Sequence, residues 1–277
     1  MPRFFTNALV LLAAVVWLAA GPALAQTKPA VTSLGPDFPK AGIFIGNSFF
    51  YYNNGLPGHL SLLEKAADPA NKQDYRNTMV TIGGSGFDWH DVESYFRPNA
   101  IGNYSFDDNN NVVFNKRDKL FDVAVMMDCS QCPIHPRLKT AFTEFAKKDS
   151  DIVRAHGGIP VLFMSWAYAD KPEMTAELAA AYTLAGNTNN ALVIPAGLAF
   201  ARIRTERPDI QLYQPDNRHP TVAGTYLAAA TSLVTLYHRP AEENSYTAGL
   251  DPDVARVLRV AAWRTALAYF GPGFGDK

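Results

Sequence analysis

Apolar residues in this chain fall alternately into short continuous runs and longer helical stripes. Residues 42–49 open the series: Gly-Ile-Phe-Ile, then Gly46-Asn47-Ser48-Phe49. The run is largely β-branched or aromatic and is bounded by breakers, which predicts a buried strand. Comparable runs follow at 77–82, 120–127, 159–165 and 191–194. Between them the apolar positions shift to helical spacing. Leu56, Leu60, Leu63 and Ala67 set it over 56–67, and helices are also predicted over 138–155, 173–185, 198–204, 221–237 and 251–269. Asp88 has the position of a cap for a short helix reaching Tyr95. Residues 104–114 alternate about a polar 107–111 and predict a small hairpin insertion near 104–115. A short extended piece is expected at 210–213.

Strands alternating with helices at this interval predict an α/β class: a three-layer α/β/α sandwich around a central, mainly parallel five-stranded sheet. Strands covered on both faces should be near-continuous apolar runs.

Composition changes the picture only at the start of the chain. The 277 residues are 48% hydrophobic and 18% charged, with a formal net charge of -1. That fits one large globular domain, over 41–277, and gives no reason to expect a nucleic-acid partner or an anionic membrane surface. Arg3, an apolar 8–20 and Ala23-Leu24-Ala25 before Gln26 have the form of a secretory signal peptide over 1–25. The apolar run is shorter than a membrane-spanning helix. The expectation is an exported protein, periplasmic or secreted, with no membrane attachment after cleavage. Residues 26–40, polar and Pro-containing, are expected to form an N-terminal extension outside the core.

Cys129 and Cys132 are the only cysteines. Export permits a disulfide between them. Free thiols, a redox pair or half of a zinc site are the other readings of Cys-x-x-Cys.

The chemistry turns on two stretches. Ser48 follows a predicted strand, at the sheet edge where open α/β folds place ligands. By itself Gly-Asn-Ser is ordinary turn chemistry. The second stretch is Tyr213-Gln214-Pro215-Asp216-Asn217-Arg218-His219-Pro220. An Asp three residues before a His can reach Nδ1–H and hold the tautomer, leaving Nε2 free to accept a proton.

Taken with the glycines at 83 and 84, this order resembles the SGNH (GDSL-like) hydrolase superfamily, from Gly42 to about Tyr237. Ile45-Gly46-Asn47-Ser48-Phe49 is similar to its first block, with Asn47 where many members carry Asp. Ile82-Gly83-Gly84-Ser85 is similar to the second, and Asp216-Asn217-Arg218-His219-Pro220 to the fifth, continued by a helix from Thr221. The resemblance implies a flavodoxin-like sheet and a serine esterase needing no cofactor. Ser48 would be the nucleophile, His219 the base and Asp216 its orienter. Backbone N–H groups of Ser48 and Gly84 would form part of an oxyanion hole, with Gly86 as the fallback for Gly84. The family usually supplies an Asn after the third strand. Here the turn is Asp128-Cys129-Ser130-Gln131, so Ser130, or failing it Gln131, would donate instead.

Asn47, Tyr51, Trp89 and His90 are the candidate substrate-binding residues, and Tyr52 and Trp166 are further aromatics able to stack on a sugar ring or acyl group. For His90 a place on a helix surface is the favoured alternative. No metal site is expected: His135 and His156 lack a nearby ligand set. The expected substrate is a small ester; an O-acetyl group on a carbohydrate is the class that the resemblance, together with export and the aromatics, implies. The rivals are a non-catalytic glycan-binding protein on the same fold and a redox protein using Cys129 and Cys132. Acyl chain length, the alcohol moiety and oligomeric state have no signal in the sequence.

Overall fold

A computed structural model describes residues 27–275 except 36–37, 71–74 and 102. The expected signal peptide over 1–25 lies outside the described residues.

The first apolar run forms β1 (Ala41–Gly46). Its Ile43, Phe44 and Ile45 have at most 1% of their surface exposed, as a central strand requires. The other sheet strands are β2 (Arg76–Thr81), β5 (Val123–Met126), β6 (Ile159–Phe163) and β7 (Leu192–Ile194). They pair in parallel in the order β2-β1-β5-β6-β7. The inserted hairpin, β3 (Tyr104–Phe106) with β4 (Val112–Phe114), forms a separate antiparallel pair. The helices are α1 (Ser48–Tyr51), α2 (Leu56–Ala67), α3 (Val92–Tyr95), α4 (Lys139–Ala155), α5 (Met174–Thr188), α6 (Ala196–Glu206), α7 (Val222–Tyr237) and α8 (Pro252–Phe270). They complete the three-layer sandwich. From residue 223 to 237 every residue of α7 is buried, because α2, α6 and α8 pack around it; a helix apolar on all sides is an interior helix.

Most elements match the sequence reading; residues 88–95, β2 and the piece at 210–213 differ from it. The first strand ends at Gly46, as expected, and Ser48 after it opens a helical turn. Asn47 causes the break: its side-chain Oδ1 caps the turn by accepting from Phe49 N at 3.3 Å. Residues 88–95 are not one helix but a 3₁₀ turn (Phe87–Trp89) followed by α3. His90 between them is extended (φ -96°, ψ 127°) and is turned into the core. The edge strand β2 is half-exposed rather than continuously apolar, since only β1 borders it. The piece at 210–213 contributes only a bridge from Tyr213 to Pro220.

Part of the N-terminal extension is tied down. Ala30 N donates to Asn187 Oδ1 at 2.7 Å, and Asn187 Nδ2 donates to Lys28 O at 2.9 Å. Val31 and Leu34 pack against the core.

The fold also buries acids. Glu64 on α2 is 2% exposed. It accepts from Asn77 Nδ2 at 3.4 Å, lies beside the Tyr237 hydroxyl and the Arg239 charge, and is pushed up to about 7 by burial. Burial likewise raises Asp149 to about 7 and Asp128 to about 6. A carboxyl raised on folding holds a proton the unfolded chain has released, so stability falls as pH rises through this window. For Glu64 the move from 4.5 to about 7 corresponds to roughly 3 kcal/mol. The urea midpoint is therefore expected to fall between pH 5 and pH 8. The fall should be smaller in Glu64→Gln, which keeps the shape without the charge; an equal slope in both proteins would contradict this.

Candidate active site

The carboxyl ends of β1, β2 and β5 deliver three turns to one place, and Asn47 ties them together. Its side-chain Nδ2 donates to Ser85 O at 3.0 Å and to Asp128 O at 3.2 Å. The side chain is buried and committed on both ends. Asn47 is thus a structural knot, not a substrate contact, which corrects the sequence reading. An ionised Asp there could not donate to two carbonyls.

The carbonyl just before this knot is equally well held. Gly46 O accepts from Ile82 N at 3.0 Å, from Ser85 Oγ at 3.1 Å and from His90 Nε2 at 3.1 Å. The other ring nitrogen of His90 bonds the Tyr95 hydroxyl at 3.1 Å. His90 is 5% exposed, and burial lowers its pKa. It neither lines the site nor lies on a helix surface; it braces the strand end from below.

Ser48 sits at the start of α1, 9% exposed. Its Oγ donates to His219 Nε2 at 2.9 Å, and His219 Nδ1 donates to Asp216 Oδ2 at 2.5 Å. Asp216 Oδ1 accepts from the backbone of Arg218 and of His219, both at 3.0 Å. The hydrogen bond from His219, followed by these backbone bonds, holds the carboxyl down to about 2. Asp216 is therefore ionised at neutral pH, as a carboxylate that orients an imidazole would be. Asn217, at φ 63°, makes the turn that lets the loop double back.

The histidine loop is clamped from several sides. Gln214 N donates to His219 O at 2.8 Å and Ala169 N to Asn217 O at 2.8 Å. Asn53 Nδ2 donates to Pro220 O at 2.9 Å and to Thr225 Oγ1 at 2.8 Å. Trp166 Nε1 donates to Arg218 O at 2.9 Å. Tyr52 stacks on the imidazole, ring centres 4.3 Å apart and planes 9° apart, and Phe49 meets it edge-on at 5.8 Å.

The backbone N–H groups of Ser48 and of Gly84 are among those on these turns with no acceptor among the described residues. Gly84 has φ 74° and lies in the open, a conformation that favours glycine. Gly86 is different. It is buried, and a Cβ there would lie 2.8 Å from Asp128 Oδ1. Its smallness serves packing against Asp128, whose Oδ1 accepts from Phe87 N and Cys129 N, both at 2.8 Å. The Ser130 hydroxyl is bonded to that of Tyr168 at 2.6 Å. Gln131 is half-buried, and its backbone O accepts from Ile134 N and His135 N. Cys129 and Cys132 are joined as a disulfide, which closes this turn.

Tyr51 and Trp89 are exposed, by 41% and 59%. Tyr51 stacks on Tyr52 and its hydroxyl approaches Gly83. Trp166 is fully buried between Phe49 and Phe200, and so cannot stack on a ligand. Tyr168, Asn53 and the bracing role of Tyr52 had escaped the sequence reading. The Asn53-Asn54-Gly55 run carried one usable signal, a left-handed turn beside the serine. Among the described residues no group of three or more His, Cys, Asp or Glu is placed to hold a metal, and no helix is long and apolar enough to cross a membrane.

No family model and no curated protein matches the chain. Solved structures do. A DUF4886 family protein from Bacteroides uniformis is 19% identical, with a TM-score of 0.57 over 84% of this chain and 96% of that one. A protein from Slackia heliotrinireducens, described as a candidate SGNH hydrolase, is 22% identical, with a TM-score of 0.52 over 70% of this chain and 97% of that one. TesA is 12% identical, with a TM-score of 0.50 over 71% of this chain and 98% of that one. The chain has the SGNH-hydrolase fold.

Proposed function

We propose that this protein is an exported serine esterase that cleaves a small ester, with an O-acetyl group on a carbohydrate as the substrate class. The observation that supports it best is the chain of contacts from Ser48 Oγ through His219 to Asp216, at 2.9 and 2.5 Å. Ser48 Oγ would attack the ester carbonyl carbon while His219 Nε2 takes its proton. The oxyanion so formed would face the free N–H groups of Ser48 and Gly84. Donors of this kind contribute about 2.7–4 kcal/mol each. Collapse breaks the C–O bond, and His219 returns the proton to the departing alcohol. Water, deprotonated by the same Nε2, then cleaves the acyl-Ser48 ester and releases the acid.

A non-catalytic glycan-binding protein is the second reading. The turn after β5 has no Asn, and the Ser130 hydroxyl there shares a hydrogen bond with that of Tyr168, which favours it.

Steady p-nitrophenyl acetate turnover by the purified chain, together with stoichiometric fluorophosphonate labelling mapped to Ser48, separates the two. Turnover without label at Ser48 would contradict the mechanism. Neither turnover nor label would leave the binding reading.

A further inference from the structure

We infer that Arg218 selects the substrate, and that the ester it selects carries an anionic group; this rests on the esterase reading of the site. Arg218 is the residue immediately before His219, and its backbone is fixed at both ends. Its N–H donates to Asp216 Oδ1 at 3.0 Å, and its carbonyl accepts from Trp166 Nε1 at 2.9 Å. The Cα therefore holds one position relative to the imidazole.

The side chain is also placed. Its guanidinium carbon lies 5.4 Å over the ring of Tyr168. The Tyr168 hydroxyl is bonded to Ser130, on the turn after β5. That turn adjoins the serine turn, since Asn47 Nδ2 donates to Asp128 O. Arg218, Tyr168 and Ser130 thus run in contact from the histidine loop to the third turn, and both ends of that run belong to segments tied to the Ser48 turn.

The charge on this run has no counter-ion. Arg218 is exposed, and no carboxylate of the described residues lies within ion-pair distance of it. Its near neighbour Asp216 is committed to His219. Arg202, Arg207, Arg239 and Arg256 are paired with acids, while Arg97, Arg137 and Arg264 share Arg218's lack of an ion pair; what sets Arg218 apart is its place next to His219 and its brace on Tyr168. A guanidinium braced on a ring loses less freedom on binding and offers a planar fork suited to a carboxylate. A pre-placed guanidinium without a counter-ion, on the residue next to the histidine that contacts Ser48, would serve as an anion subsite of the reaction.

The anion could belong to the acyl half or to the alcohol half of the ester. Two matched pairs separate these sources. The acyl pair is p-nitrophenyl hemisuccinate and its methyl ester. The alcohol pair is m-carboxyphenyl acetate and its methyl ester. Within one pair the parent protein is expected to favour the charged member by about tenfold in kcat/KM, mainly through KM, since a charge-assisted pair is of that strength. Added salt should shrink the preference. Arg218→Gln should bring the ratio near unity, and Arg218→Lys should keep part of it. No preference in either pair, or a preference that survives Arg218→Gln, overturns the inference. An equal loss on charged and neutral esters would make Arg218 merely structural and overturn it too. Failure to turn over any of the four esters would instead strike the esterase reading itself.

Discussion

Ser48→Ala protein is expected to hydrolyse p-nitrophenyl acetate on the order of 10⁴–10⁶ more slowly than the parent chain, with KM little changed. On the esterase reading, removing Oγ deletes the atom that would carry the acyl group. The remaining turnover would come from binding and the free N–H groups alone. His219→Ala should cost nearly as much, because the two side chains work as one unit through the 2.9 Å contact. The double variant should be scarcely worse than either single one. Asp216→Asn is a sharper probe. It keeps the loop's shape but replaces an ionised acceptor with an amide, so imidazole can turn its proton toward Ser48. A loss on the order of 10⁴ is expected, as for a wrong tautomer. Asp216 is held down to about 2, so its ionisation should not shape the rate profile above pH 4. Single-turnover kinetics across the series checks all of this. Additive losses in the double variant would mean that Ser48 and His219 do not act together.

Much of this architecture was legible because the period of apolar residues reports burial directly. The runs beginning at Gly42, Leu120 and Ile159 became central strands covered on both faces. β2 was legible as a strand but not as an edge: its neighbours are a tertiary property, and Arg76 and Asn77 were its only hint. Asp216 and His219 could be paired in advance, since three residues of separation fix their reach. Their approach to Ser48, across 171 positions, depended on a family resemblance, because no local rule spans such a distance. The less successful assignments share a cause. His90, Asn47 and Trp166 are polar or amphipathic side chains whose type suits both a ligand and a buried carbonyl. Only the groups opposite them decide: Gly46 O for His90, Ser85 O and Asp128 O for Asn47, Arg218 O for Trp166.

Trp166→Ala should destabilise the chain by about 3–5 kcal/mol, the usual range for a buried aromatic truncated to a methyl. The indole has no exposed surface. It is stacked between Phe49, at 4.4 Å, and Phe200, at 4.1 Å, and its Nε1 holds the Arg218 carbonyl. Both partners adjoin the site: Phe49 follows Ser48, and Arg218 precedes His219. The indole is therefore a brace between the Ser48 turn and the His219 loop as well as core. Trp166→Phe separates these roles. It retains most of the stacking but drops the 2.9 Å hydrogen bond, leaving the Arg218 carbonyl without its indole donor. Stability should then fall by only about 1–3 kcal/mol. Turnover should fall more than that loss suggests, because the histidine loop gains freedom and kcat depends on its position to within an ångström. Urea titration gives the first quantity, and kcat measured well below the unfolding transition gives the second. If Trp166→Phe loses stability but keeps its full kcat, the indole is core packing alone, and the histidine loop is held by its remaining clamps at Gln214, Ala169 and Asn53.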